Sequence, residues 1–161
     1  MAALSLAGFA APADAAFIVI SVTGKTQGVF KAESTSKPFA GKTEVLSYQH
    51  AMHQPIDLGS GLPNGRMVLA PIEIEKNAGI STPQWLSALR SGELPTVTID
   101  FWMQRPDGML VLYQTVKLTN ARVTNVRHVT DGSQAKEHIS LAYETYELTR
   151  DGLKTSLNWA V

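Results

Sequence analysis

The sequence predicts a mainly β protein: a single antiparallel β-barrel of two packed sheets, with one short α-helix on its side and one extended loop. Three observations carry that reading. Val97, Ile99, Phe101 and Met103 alternate with Thr96, Thr98, Asp100 and Trp102, the period-two pattern of a strand. Tight turns recur at Arg105-Pro106-Asp107-Gly108, Asp131-Gly132 and Asp151-Gly152, where Pro presets φ and Asp-Gly favours positive φ. Against this background only Ile80 to Gly92 is punctuated as a helix. Ser81 or Thr82 can cap its free N–H groups, Pro83 sits where a missing N–H costs nothing, and Arg90 and Gly92 suit its end.

Taken in order, Phe17-Ile18-Val19-Ile20-Ser21-Val22 is a β-branched run and reads as the first strand. Lys25 to Gly41 is rich in Ser, Thr, Lys and Gly and holds a short second strand around Gly28 to Glu33. Glu44 to His53 reads as one strand, with Val45, Ser47 and Gln49 on one side and Leu46, Tyr48 and His50 on the other. Pro55 to Asn64 is punctuated by Pro, Gly and Ser and reads as a protruding irregular loop. A strand follows over Arg66 to Glu75. In the helix, Trp85, Leu86 and Leu89 share one side and form an apolar plug, Trp85 as core packing rather than a ligand-stacking ring. Leu110, Leu112, Val116 and Leu118 line one face of a long return strand, and Leu153, Thr155, Leu157, Trp159 and Val161 one face of the last. There is no internal repeat.

A chain of 161 residues with 44% apolar and 17% charged residues has enough material for one packed domain, here assigned to 17–161. Residues 1–16 read as a flexible N-terminal extension or expression remnant: the segment is small and apolar, but no Lys or Arg supplies the positive start of a secretory signal. Acidic and basic residues balance at 14 each, which disfavours nucleic-acid binding. With no cysteine, disulfides, thiolate metal sites and Cys nucleophiles are excluded. No apolar run approaches the ~20 residues of a membrane-spanning helix, and no membrane insertion is expected.

No catalytic, cofactor or metal constellation stands out. His50 and His53 have a spacing that converges on a helix but diverges on a strand, and His128 and His138 bring no matching carboxylate pattern. Gly59-Ser60-Gly61 lacks the strand-to-helix elbow of a Ser nucleophile, and Gly59, Gly61 and Gly65 open no helix as a dinucleotide fingerprint requires. Glu73 and Glu75 alternate on one strand, where charges that blunt a sheet edge are a commoner finding than a catalytic pair. Apolar residues occupy both faces of some strands: Trp102 opposes the Val97–Met103 face, and Met109, Val111 and Tyr113 oppose Leu110 and Leu112. The second face is covered either by the helix and long loop or by another subunit.

Gly65 through Lys76, then Ser81-Thr82-Pro83-Gln84-Trp85-Leu86 with Ala88 and Gly92, then Glu137-His138-Ile139-Ser140-Leu141-Ala142-Tyr143-Glu144, Asp151-Gly152 and Trp159 resemble, in order and spacing, the Hcp (hemolysin-coregulated protein) family. The resemblance covers residues 16 to 161. It departs where the family places an Asp between the Lys and the Ser/Thr-Pro, since this chain has Asn77-Ala78-Gly79-Ile80 there. The resemblance implies a structural, non-enzymatic subunit of a type VI secretion inner tube: a homohexameric ring, stacked rings, and spike, contractile sheath and small effectors as partners. It also implies a protein that is cytoplasmic until assembly and then secreted without a cleaved signal, in a Gram-negative bacterium. On that view Pro55, Ile56, Asp57, Leu58, Gly59, Ser60, Gly61 and Leu62, together with Trp102, Val111 and Tyr113, are the candidate interface residues. The alternative is a monomeric barrel holding a small apolar ligand in its mouth.

Overall fold

The structure, a computed structural model, describes residues 16–34 and 39–159. The expected N-terminal extension, apart from Ala16, and Val161 of the last strand lie outside the described residues. The chain opens with β1 (Ala16–Gly24), β2 (Gly28–Val29), β3 (Thr43–Val45) and β4 (Ser47–Gln49). It continues through β5 (Met52–His53), β6 (Val68–Leu69), β7 (Ile72–Asn77) and α1 (Thr82–Ser91). The second half is a run of longer strands: β8 (Thr96–Gln104), β9 (Leu110–Thr119), β10 (Arg122–Asp131), β11 (Gln134–Ala142), β12 (Thr145–Arg150) and β13 (Leu153–Asn158).

These strands make two packed antiparallel sheets and a small hairpin. The larger sheet runs β13-β12-β9-β8-β1, with β2 and β3 both on the far side of β1. The smaller runs β10-β11-β7-β4, and β5 pairs only with β6. The core between the sheets is aliphatic: Ile72, Ile74, Val97, Ile99, Val116, Leu118, Ile139 and Leu141 are almost fully buried. Strands that leave one sheet and enter the other make the corners of such a packing.

The corner at Leu46 divides the long strand expected over Glu44–His53. Val45 pairs with Ile18 in the larger sheet, whereas Ser47 pairs with Glu75 in the smaller, and the Leu46 N–H donates to Glu75 O at 2.7 Å. Arg66–Glu75 is divided likewise, at Ala70-Pro71: Pro cannot donate to a ladder, so pairing stops before it and resumes at Ile72. The β8–β9 ladder carries a bulge. Phe101 pairs with Gln114 and Trp102 with Leu112, so Tyr113 is the extra residue. The bulge reverses the facing of β9, which is why Val116 and Leu118 are buried while Leu112 joins Trp102 on the outer face.

The helix is anchored differently from the sequence expectation. Trp85 and Ala88 are its buried residues, Trp85 meeting Phe30 edge-on at 5.2 Å, while Leu86 and Leu89 are 42% and 36% exposed. Gly92 closes it with φ 68°, its N–H donating to Ala88 O at 3.0 Å. The Ser81 hydroxyl makes no cap. It donates to Glu33 Oε1 at 2.8 Å, and Glu33 in turn accepts from Lys76 Nζ at 3.0 Å. Lys76 lies on the inward face of β7 with no exposure and also donates to Glu137 Oε2 at 2.9 Å and Asn77 O at 2.7 Å.

A second carboxylate secures the other end of the helix. Glu93 accepts from the backbone N–H groups of Thr26 and Gln27 and from Gln27 Nε2, fastening the β1–β2 turn. Burial pushes its pKa up, but those hydrogen bonds outweigh burial and hold it below the ordinary carboxylate range.

Two stability predictions follow from these anchors. Trp85→Ala costs about 3–5 kcal/mol, whereas Leu89→Ala stays within about 1 kcal/mol, as read from urea unfolding midpoints. Because the Glu93 pKa is depressed on folding, its contribution is present at neutral pH and fades as pH falls below its unfolded value of 4.5. The stability gap between wild type and Glu93→Gln therefore narrows on acidification through that window; a gap that widened there would contradict the assignment.

Candidate assembly surfaces

The stretch expected to be an irregular loop is an ordered hairpin, paired with neither of the two packed sheets; the single closed barrel expected from the sequence is not what the strand pairing shows, which is two separate sheets. Met52 pairs with Leu69 and His53 with Val68, and beyond them Ile56 bridges Pro63. Asn64 N–H donates to Pro55 O and Asp57 N–H to Leu62 O, both at 2.8 Å. The tip turns on Asp57: its Oδ1 accepts from the backbone N–H groups of Gly59 and Ser60 at 2.8 Å, and Gly61, at φ 71°, returns an N–H to Asp57 O. The hydrogen bonds from Ser60 and Gly59 keep the Asp57 carboxyl below its usual pKa, hence charged.

This hairpin carries several of the apolar side chains that the sheets leave exposed. Leu58 is 94% exposed, and Ile56, Leu62, Met52 and Val68 are exposed as well. Its base is pinned by aromatics. Tyr143 Oη donates to Ala70 O at 3.3 Å and lies 2.6 Å from His50 Nε2. His50 also lies over Tyr146 at 4.5 Å, and Trp159 meets Tyr143 edge-on at 5.3 Å. Burial pushes the Tyr143 pKa up to about 12 and the His50 pKa down, so both are neutral at pH 7. His53 lies out on the exposed hairpin, away from the aromatic cluster that holds His50. Among the described residues no three His, Cys, Asp or Glu groups gather as metal ligands.

The candidate residues do not form one patch. Pro55 through Leu62 come together in the hairpin, but Trp102, Val111 and Tyr113 lie on the larger sheet. Trp102 is half-buried beneath Phe39, at 5.7 Å, so the chain after β2, rather than the helix or the hairpin, covers it. Val111 is half-buried opposite Met103. Tyr113 lies beside Phe101 at 6.3 Å, with the Arg150 guanidinium 5.4 Å above its ring.

The outward face of the smaller sheet is polar. Cross-strand pairing sets Ser47, Glu75, His138 and Arg127 in one row and Gln49, Glu73, Ser140 and Asn125 in the next, around a groove of about 450 Å³. Glu75 lies 3.2 Å from Lys136 Nζ and 3.5 Å from His138 Nε2. β7 sits between β11 and β4, so Glu73 and Glu75 do not blunt an edge, as the sequence suggested; they belong to this polar face.

A surface that sequence reasoning missed lies where the larger sheet overhangs the smaller. There β12 and β13 leave Leu153 79% exposed beside Leu148, Arg150 and Thr155, in a groove of about 260 Å³. The alternation of the last strand placed Leu153 on one face with Leu157, which is half-buried; no local pattern encodes that Leu153 itself is left uncovered.

Two packed antiparallel sheets, one helix among the described residues tied at its start to a buried ion pair, and a hairpin with exposed apolar side chains make up the fold. The family model for the type VI secretion system effector Hcp matches residues 20–149, and the chain belongs to that family. Solved structures agree on the fold. An Hcp protein superimposes with a TM-score of 0.82 at 22% identity, covering 89% of this chain and 99% of the other. A variant of Hcp1 from E. coli EAEC 042 does so with a TM-score of 0.82 at 22% identity over 90% and 99% of the two chains. Secreted Hcp3 from Pseudomonas aeruginosa gives 0.74 at 21% identity over 91% and 100%. Comparison with curated proteins returns no match.

The hairpin base supplies a direct test of how the aromatics hold this surface. Tyr143→Phe removes the donor to Ala70 O and the partner of His50, and costs about 1 kcal/mol. The Ala70 N–H, bonded to Ala51 O at 2.9 Å, should exchange with solvent faster in the variant while core amides such as Ile99 are little changed.

Proposed function

We propose that this chain is the repeating subunit of the type VI inner tube: copies close into a hexameric ring, rings stack, and the tube is expelled without a cleaved signal. The carrying observation is the hairpin of Met52 to Leu69, ordered by its own hydrogen bonds yet presenting Ile56, Leu58 and Leu62 to water. A monomer gains nothing from holding apolar side chains clear of its core; a subunit that buries them in a neighbour does. Family membership supports the ring and the secretion machine as its setting. A closed ring requires a contact between two different surfaces, repeated until it meets itself.

In this reading the hairpin reaches a neighbouring subunit or ring, and Trp102, Val111 and Tyr113 lie near lateral contacts. The polar rows from Ser47 to Arg127 and from Gln49 to Asn125 suit the inner wall, because cargo that must pass cannot be held by a greasy surface. Small effectors are the cargo, and spike and sheath the outer partners. The interior between the sheets is filled by aliphatic side chains, which favours this reading over a ligand held inside a monomeric barrel.

Solution mass tests it. Purified protein should run at about six times the chain mass, as doughnut-shaped particles in electron micrographs. Leu58→Asp, or deletion of Gly59–Gly61, should lower the assembled fraction at least severalfold while the β-rich far-UV spectrum persists. A strict monomer at high concentration would overturn the proposal, and unchanged particle size in both variants would overturn the role of the hairpin.

A further inference from the structure

Two surfaces of the chain are complementary and both are open. The first is the hairpin tip, a bare Leu58 beside an ionised Asp57 whose described hydrogen bonds all run to Oδ1, leaving Oδ2 free. The second is the overhang of β12 and β13, an apolar groove floored by Leu148 and Leu153 and rimmed by Arg150, Asp151 and Lys154, the last paired with Glu147 at 2.9 Å. At about 260 Å³ the groove is smaller than the ~300–1,000 Å³ of small-molecule sites and suits a single anchoring side chain. Among the described residues, the Arg150 guanidinium makes no hydrogen bond: it stacks on Tyr113 and stands 3.9 Å from Asp151.

The balance of charge chooses between this groove and its nearest rival, since here Arg150 and Lys154 stand against the single carboxylate of Asp151. A second apolar groove of about 220 Å³, lined by Phe17, Val19 and Phe39, has Glu44 on its rim and would set like charge against Asp57. We propose that the β12–β13 groove receives the hairpin tip of a second copy of this chain, with Leu58 seated on Leu148 and Leu153 and Asp57 paired with Arg150. The assignment rests on the self-assembly reading above and adds the receiving site to it. Because tip and groove are different surfaces, every copy gives one contact and takes one, so the contact propagates along an assembly instead of stopping at a dimer.

The absence of cysteine makes the test clean. Leu58→Cys combined with Thr155→Cys, both exposed positions, is oxidised mildly at assembly concentration beside the two single variants and a Leu58→Cys/Glu44→Cys control. The Thr155 pair should give a ladder of covalent species larger than dimers on denaturing gels, while the singles stop at dimers and the Glu44 pair forms no ladder. Asp57→Lys should shrink the ladder at least severalfold, and adding Arg150→Glu should restore it. A ladder from the Glu44 pair, or none from the Thr155 pair in particles that remain assembled, would overturn the docking alone. Particles that are monomeric before oxidation would overturn the assembly reading and the docking with it.

Discussion

A cation buried without any exposure, Lys76, is the constraint around which this fold is arranged. An ammonium taken out of water must be met by carboxylate or carbonyl oxygen on all its donors. Here the three partners come from different parts of the chain: Glu137 from β11, the Asn77 carbonyl from β7, and Glu33 from the segment after β2. The other Glu137 oxygen makes no hydrogen bond and faces His128 Nε2 on β10 at 3.2 Å. Because Glu33 also takes the Ser81 hydroxyl, the helix start is tied to the same point. Even the backbone is adapted to it: a Cβ on Gly79 would fall 2.6 Å from the Glu33 carboxyl carbon, so only glycine leaves that carboxylate in place.

Charge therefore does at the helix what apolar surface does elsewhere. A ten-residue helix with two buried residues has little grease to hold it. Glu33 and Lys76 fix its beginning, and Glu93, just past its end, fixes the β1–β2 turn beside it. Gly24 repeats the device seen at Gly79, since a Cβ there would lie 2.5 Å from Glu93 Oε1. The helix is thus clamped at two ends between the first hairpin and the smaller sheet, leaving Leu86 and Leu89 outside. Among the described residues no helix is long and apolar enough to cross a membrane.

What was legible in the sequence was whatever depends on neighbours along the chain. The alternation from Thr96 to Phe101, the Asp-Gly turns, and the Pro83 and Gly92 punctuation of the helix are all local, and all appear where the pattern puts them. Illegible were the features set by a partner strand. The Tyr113 bulge exists only as a mismatch between β8 and β9, and it alone moves Leu112 to the outside. The corner at Leu46 exists only because one strand serves two sheets. Lys76 looked like any strand lysine, because nothing adjacent announces Glu33 and Glu137, each more than forty residues away. The hairpin was legible as a protrusion but not as an ordered one, since its cross-bonds join residues that carry no alternating pattern.

The same division bears on the proposed assembly. Inside, aliphatic side chains close the space between the sheets and the two charge clusters are consumed in holding the helix. Outside, polar rows cover one sheet, while the two most exposed large apolar side chains, Leu58 and Leu153, stand on the hairpin and at the β12–β13 overhang. Sheet edges and bare apolar tips are hazards that a solitary protein blunts with charge or proline. This chain instead closes the hairpin with the Asp57 turn and anchors its base on Tyr143, His50 and Trp159. Ordering a contact surface in advance lowers the conformational cost of association. That economy matters most to a subunit that makes the same contact many times over, as the ring and tube would demand.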